Sequence, residues 1–198
     1  IIFAQFLYGI SREAGNRKSL TISEFAESVK NSVPYMYESV ANPVEGTMLT
    51  VIREWSDFIY NQRDIFTDFK QLFLRSQEVL AKSLAYTRTQ MLVLSKANVV
   101  DSGANAFVLF IEGIIDFIKS NSLRKMLRAK AERLVLPSNN EHVLEEVKFR
   151  YCTEGVLKNI SVDQKSLSKI LQQHGDSVVI GGTEKNKHIH VQIGRAHV

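Results

Sequence analysis

The hydrophobic period changes along this chain, and that change limits the fold more than any single residue does. Over the first 120 residues apolar side chains return every three or four positions, as in Phe3, Phe6, Leu7 and Ile10, whereas beyond Pro137 they alternate, with Val147, Phe149 and Tyr151 separated by Lys148 and Arg150. The first spacing predicts helices with one buried stripe and the second predicts a strand. A second helix opens at Ser23-Glu24, with Pro34 expected to bend it. A third follows Asn42-Pro43 and carries Met48, Val51, Ile52, Trp55 and Ile59. A fourth runs from about Asp64 to Ala85, a short one carries Met91, Leu92 and Leu94, and an apolar one spans Ser102 to about Ser120. Short loops and only three prolines suit antiparallel helices in a bundle.

Half of the ten glycines fall in residues 136–198. There a strand around 147–151, a helix over Ser161–Gln173, and strands at Val178–Ile180 and His188–Val191 around a Gly181-Gly182 turn give the order β, α, β, β. The expected architecture is multidomain: helices over 1–120, a linker helix over 121–138 containing the basic stretch Arg124–Arg133, and a partial α+β domain over 139–192. The chain starts at Ile1 inside an amphipathic run with no initiator Met, so helices upstream of it are expected. The last six residues, Ile193–Val198, match a translated sequencing adapter and are set aside as an expected artefact.

Composition removes several function classes. The net charge of +4 is spread among interspersed acids with no run of five Lys or Arg, so no nucleic-acid footprint is expected. Phe107–Ile118 is too short for a bilayer and carries Glu112 and Asp116, which predicts a buried helix, not a membrane span. The single cysteine, Cys152, excludes an internal disulfide and suits the cytoplasm. Trp55, Tyr35 and Tyr37 read as core, His142 as a loop residue, and no Ser/His/Asp triad, P-loop or HExxH pattern is present.

Two loop-to-helix junctions could carry chemistry. Pro43-Val44-Glu45-Gly46-Thr47-Met48 and Val100-Asp101-Ser102-Gly103 each place a glycine and a capping side chain at a helix start, where free N–H groups and the positive dipole end suit a phosphate. Taken singly, each is more often an ordinary cap. A second constellation is Cys152 with His188 and His190. Residues two apart on a strand share a face, so both histidines could meet one Zn²⁺ with the thiolate, His174 or water being fourth; the alternative is a core cysteine and an exposed histidine face. Glu154 and Glu184 are the nearest acids, and neither spacing marks a general base, which favours a structural or interface role for the metal.

The paired phrases Pro43–Val51 and Val99–Gly103 resemble the nucleotide-binding domain of the dihydroxyacetone-kinase L-type (DhaL-like), as found in the ATP-binding subunit of bacterial fatty acid kinase. Arg150–Glu154, Gly175–Ser177 and His188–Val191 resemble the middle domain of that same kinase component, in the same order. The resemblance implies an all-helical barrel with ATP bound by Gly46, Thr47, Met48, Asp101, Ser102 and Gly103. It implies phosphorylation of a fatty acid, presented by a fatty-acid-binding carrier protein, to an acyl phosphate for phospholipid synthesis; it leaves homodimerisation open. The family's aspartate-rich Mg²⁺ loop would precede Ile1, so residues 1–192 alone are expected to be inactive. Ala104 and Asn105 depart from the glycine-rich family pattern. The other readings are a non-catalytic regulatory or interaction module and a dihydroxyacetone kinase L-type subunit, the latter weaker because it has no need of the strand-rich segment.

Overall fold

A computed structural model describes residues 1–120, 149, 151–183 and 185–194. The described chain is helical and then forms a small antiparallel sheet: α1 (Ile2–Ala14), α2 (Ile22–Glu38), α3 (Met48–Asn61), α4 (Phe69–Gln90), α5 (Leu92–Ala97), α6 (Ser102–Ser120), β1 (Tyr151–Lys158), α7 (Gln164–Gln172), β2 (Gly175–Gly182) and β3 (Asn186–Ile193). The basic stretch 124–133, His142, Glu184 and residues 195–198 lie outside the described residues. Two compact units result, residues 1–44 with 146–198, and residues 45–145. The division falls inside the helical half and not at the change of hydrophobic period.

In the first unit, α1 and α2 form a helical hairpin. They approach closely at Gly9, where a Cβ would sit 2.8 Å from Ser32 Cβ. Phe6, Ala26, Val29 and Met36 are buried. The helix continues through Pro34, which costs one backbone donor but does not end it. Thr21 starts α2 with a capping box: its hydroxyl accepts from Glu24 N (3.3 Å) while Glu24 Oε2 accepts from Thr21 N (2.9 Å).

That exchange makes α2 sensitive to acid. The bond from the Thr21 backbone N–H, followed by that from its hydroxyl, holds the Glu24 carboxyl below its ordinary value. A depressed carboxyl contributes stability above its unfolded value and loses that contribution as pH falls through the folded value. The melting-temperature gap between the protein and Glu24→Gln is therefore expected to be widest near neutrality and to close on acidification. Thr21→Ala should cost about 1 kcal/mol in thermal unfolding.

The sheet has the order β1-β3-β2, with β3 central and both pairings antiparallel. One face is apolar: Val178, Ile180, Val191 and Ile193 pack with Leu167 of α7, and Leu157 and Ile189 border them. Ile193, from the tail set aside on sequence grounds, closes β3 inside this core. The segment after α2 protects the β2 edge, since Ala41 N donates to Val178 O (3.0 Å) and Ile180 N donates to Ser39 O (2.7 Å). The strand expected around 147–151 begins at Tyr151, so its pairing partners are set by residues 151–158; among its expected members Phe149 lies outside any strand, and 147, 148 and 150 are outside the described residues.

In the second unit, α3, α4 and α6 share a core of Leu49, Ile52, Trp55, Ile59, Leu72, Phe73, Leu80, Phe107, Ile111 and Ile115. Trp55 meets Phe73 and Phe107 edge-on, with ring centroids 5.9 and 5.6 Å away. No helix among the described residues is long and apolar enough to cross a membrane; α6 ends its apolar run after 19 residues.

Candidate functional site

Both helix starts singled out in the sequence belong to the second unit, and they lie side by side. Gly103, in the first turn of α6, faces Met48, the first residue of α3: a Cβ at Gly103 would come 3.2 Å from Met48 Cε and 3.5 Å from its Cβ. At α3, Thr47 is the N-cap, its hydroxyl accepting from Leu49 N at 3.3 Å. At α6, Asp101 Oδ1 accepts from Ala104 N at 2.6 Å, and Asp101 N donates to the Thr87 hydroxyl of α4 at 3.1 Å. Asp101 is thus held from both sides. The amides of Met48, Ser102 and Gly103, at first-turn positions, need no intrahelical acceptor and remain available to a ligand.

The loop before α3 is held by its own contacts. Gly46 has φ +85°, and a Cβ there would lie 2.7 Å from Gln90 Cβ at the end of α4, so only glycine fits. Its N–H donates to the Thr50 hydroxyl (2.8 Å), which donates to Glu45 Oε2 (2.5 Å), and Arg53 pairs with the same carboxylate at 3.0 Å. Ala104 is fully buried in the first turn of α6. Gly46, Thr47, Met48, Asp101, Ser102 and Gly103 therefore occupy two adjacent, separately anchored helix starts.

The sheet face opposite the core carries the second set. Glu154 pairs directly with His190 in the β1–β3 register, and Cys152 stands two residues from Glu154 on the same face. Cys152 Sγ is 3.4 Å from His190 Nδ1, and Glu154 Oε1 is 3.2 Å from the same nitrogen. The three ligand atoms all lie within 4.8 Å of one another. His188 shares the face, as the spacing predicts, but it pairs with Val156 and lies outside this trio. His174 is exposed before β2 and is also outside it. Glu154 stands beside Cys152 and His190 because strand register, invisible to spacing within one strand, sets which residues meet across the sheet. The available signal was the Cys-x-Glu pair itself, two ligand types on one face of a strand.

A family model for the DAK2 domain matches residues 1–116, and one for the fatty acid kinase A-like middle domain matches residues 148–195. The chain belongs to the DAK2-domain family, in the form that joins this domain to a fatty acid kinase A-like middle domain. An uncharacterised protein of Mycoplasma pneumoniae is 32% identical over 96% of this chain and 37% of its own length. Protein YloV of Bacillus subtilis is 26% identical over 96% of this chain and 36% of its own. The chain thus spans little more than a third of the length of these curated relatives.

Proposed function

We propose that the whole protein is a cytoplasmic kinase that uses ATP and Mg²⁺ to phosphorylate a fatty acid carboxylate held by a separate fatty-acid-binding carrier protein, yielding an acyl phosphate for phospholipid synthesis. The observation that carries this reading is the adjacency of the α3 and α6 starts across the Gly103–Met48 contact. Two positive dipole ends with available amides suit a polyphosphate, and phosphoryl transfer depends mainly on positioning and charge neutralisation. Thr47 and Asp101 would hold the two starts in place, while the Met48, Ser102 and Gly103 amides would meet the phosphates. Membership of the DAK2-domain family supports a kinase, and the fatty acid kinase A-like middle domain supports a fatty acid as substrate. Full-length protein incubated with radiolabelled ATP, Mg²⁺, a fatty acid and a candidate carrier should transfer label to the acyl group. No transfer with any carrier, under conditions where the protein is folded, would sink the kinase reading.

The Cys152, Glu154 and His190 group supports a second component of the reading, a structural divalent cation in the middle domain. One thiolate, one imidazole and one carboxylate form a donor set that Zn²⁺ accepts, and His188, two residues from His190 on the same face, is a candidate for a fourth donor. Such an ion would tie β1 to β3 and add to folding stability, with affinity falling as ligands protonate. Elemental analysis of the full-length protein should find about one zinc per chain, lost in Cys152→Ser and reduced in His190→Ala. Chelation should lower the melting temperature of the parent and leave Cys152→Ser unchanged. Retention of zinc in both variants would place its ligands elsewhere.

A further inference from the structure

Strand β3 breaks its own pattern at one position. Lys187, Ile189, Val191 and Ile193 share the face that packs toward α7, and three of the four are the apolar residues this face requires. Lys187 is only 8% exposed, yet its side chain forms no hydrogen bond or ion pair with any described residue. A buried, unpaired ammonium would be costly, and Nζ of Lys187 is not among the described buried side-chain atoms left without a partner, so the stem packs along the apolar face while Nζ reaches a polar space. That space exists. A concavity of about 680 Å³ at the start of α7 is lined by Lys187 together with Lys185, Ser161, Asp163, Ile160 and Val162.

The charges in this concavity set what it accepts. Asp163 already caps α7, accepting from Ser166 N at 3.0 Å, so the helix dipole is largely satisfied and leaves Lys187 as the anchor for an incoming anion. Among the described lining residues, two ammonium groups stand against one carboxylate. Ser161 adds a hydroxyl donor, and Ile160 and Val162 supply an apolar wall. We propose that this concavity of the middle domain binds a small oxyanion, a carboxylate or phosphate group carried on a short apolar stem, with Lys187 Nζ as its principal contact and Lys185 as its second. These residues and the α3 and α6 starts belong to different compact units.

Calorimetric titration of the full-length protein with inorganic phosphate, acetate and octanoate tests it. Saturable binding of at least one is expected, tighter for octanoate than acetate if the stem meets Ile160 and Val162, and tightest for phosphate if the headgroup dominates. Lys187→Met, which keeps the stem and removes the charge, should weaken that binding by at least about tenfold, and Lys187→Arg should retain most of it. Lys185→Met, at an exposed position, should weaken it by a smaller factor and guards against a folding defect in the Lys187 variants. Lys169→Met on α7, outside the concavity, should change nothing, and nucleotide affinity should be the same in all four. Absence of saturable binding by every probe, or equal affinity in the parent, Lys187→Met and Lys185→Met, would overturn the proposal.

Discussion

Replacing Trp55 by alanine is expected to unfold the α3–α4–α6 unit near physiological temperature. Trp55 is 2% exposed and stands between Phe73 and Phe107, so its truncation removes two edge-to-face contacts and opens a cavity where three helices meet. Large-to-alanine changes of this kind cost about 3–5 kcal/mol, a large fraction of the roughly 5–15 kcal/mol that stabilises a typical domain. Trp55→Phe should cost much less. It keeps an aromatic ring between the two phenylalanines and removes an indole N–H that is buried without a hydrogen-bond partner among the described residues. Circular dichroism melts of the two variants should differ by far more than either scan's error; equal losses would mean that the ring contacts carry little of the core's stability.

The second large effect is on nucleotide binding. Gly103→Val is expected to abolish ATP binding, a loss of at least about a hundredfold, because its branched side chain would project from the amide-bearing first turn of α6 toward α3. Gly103→Ala is the informative companion. A Cβ there meets the flexible end of Met48 at 3.2 Å and Asp101 Oδ1 at 3.3 Å, contacts that small side-chain movements relieve, so this variant should fold normally. Its affinity for ATP should still fall by roughly tenfold, since a methyl group stands on the surface the phosphates would approach. Unchanged affinity in a folded Gly103→Val protein would remove the α6 start from the nucleotide site.

The helices and their stripes are legible in the sequence because a helix shows its buried face within its own residues: Val51, Ile52, Trp55 and Ile59 return at helical spacing and are all buried, while Met48, read with them, is only half-buried and Leu49 joins them instead. The caps of α3 and α6 are legible for the same local reason, Thr47 and Asp101 each accepting from an amide in the turn they start, whereas α2 and α4 are capped by Thr21 and Asp68 and not at the expected Ser23 and Asp64. What two separate segments do together is less so. The face shared by His188 and His190 follows from a period of two, but the partner across the sheet depends on register, which is how Glu154 comes to stand opposite His190. The strand at Tyr151–Lys158 lies several residues beyond its expected place because its outward residues, Cys152, Glu154 and Lys158, mask the weak apolar alternation of Leu157 and its neighbours. Lys187 gives no local signal because the residues gathered around it, 159–163, belong to the segment between β1 and α7, which no window within the strand reveals.

Whether the two adjacent helix starts, α3 and α6, share one nucleotide is tested most directly by hydrogen–deuterium exchange of the full-length protein with and without ATP and Mg²⁺, because amides that bond phosphate oxygens exchange more slowly. Exchange should slow at Met48–Leu49 and at Ser102–Gly103 together, with both effects lost in Gly103→Val. Protection at neither start, or at one start with the other unaffected, would contradict a shared nucleotide site.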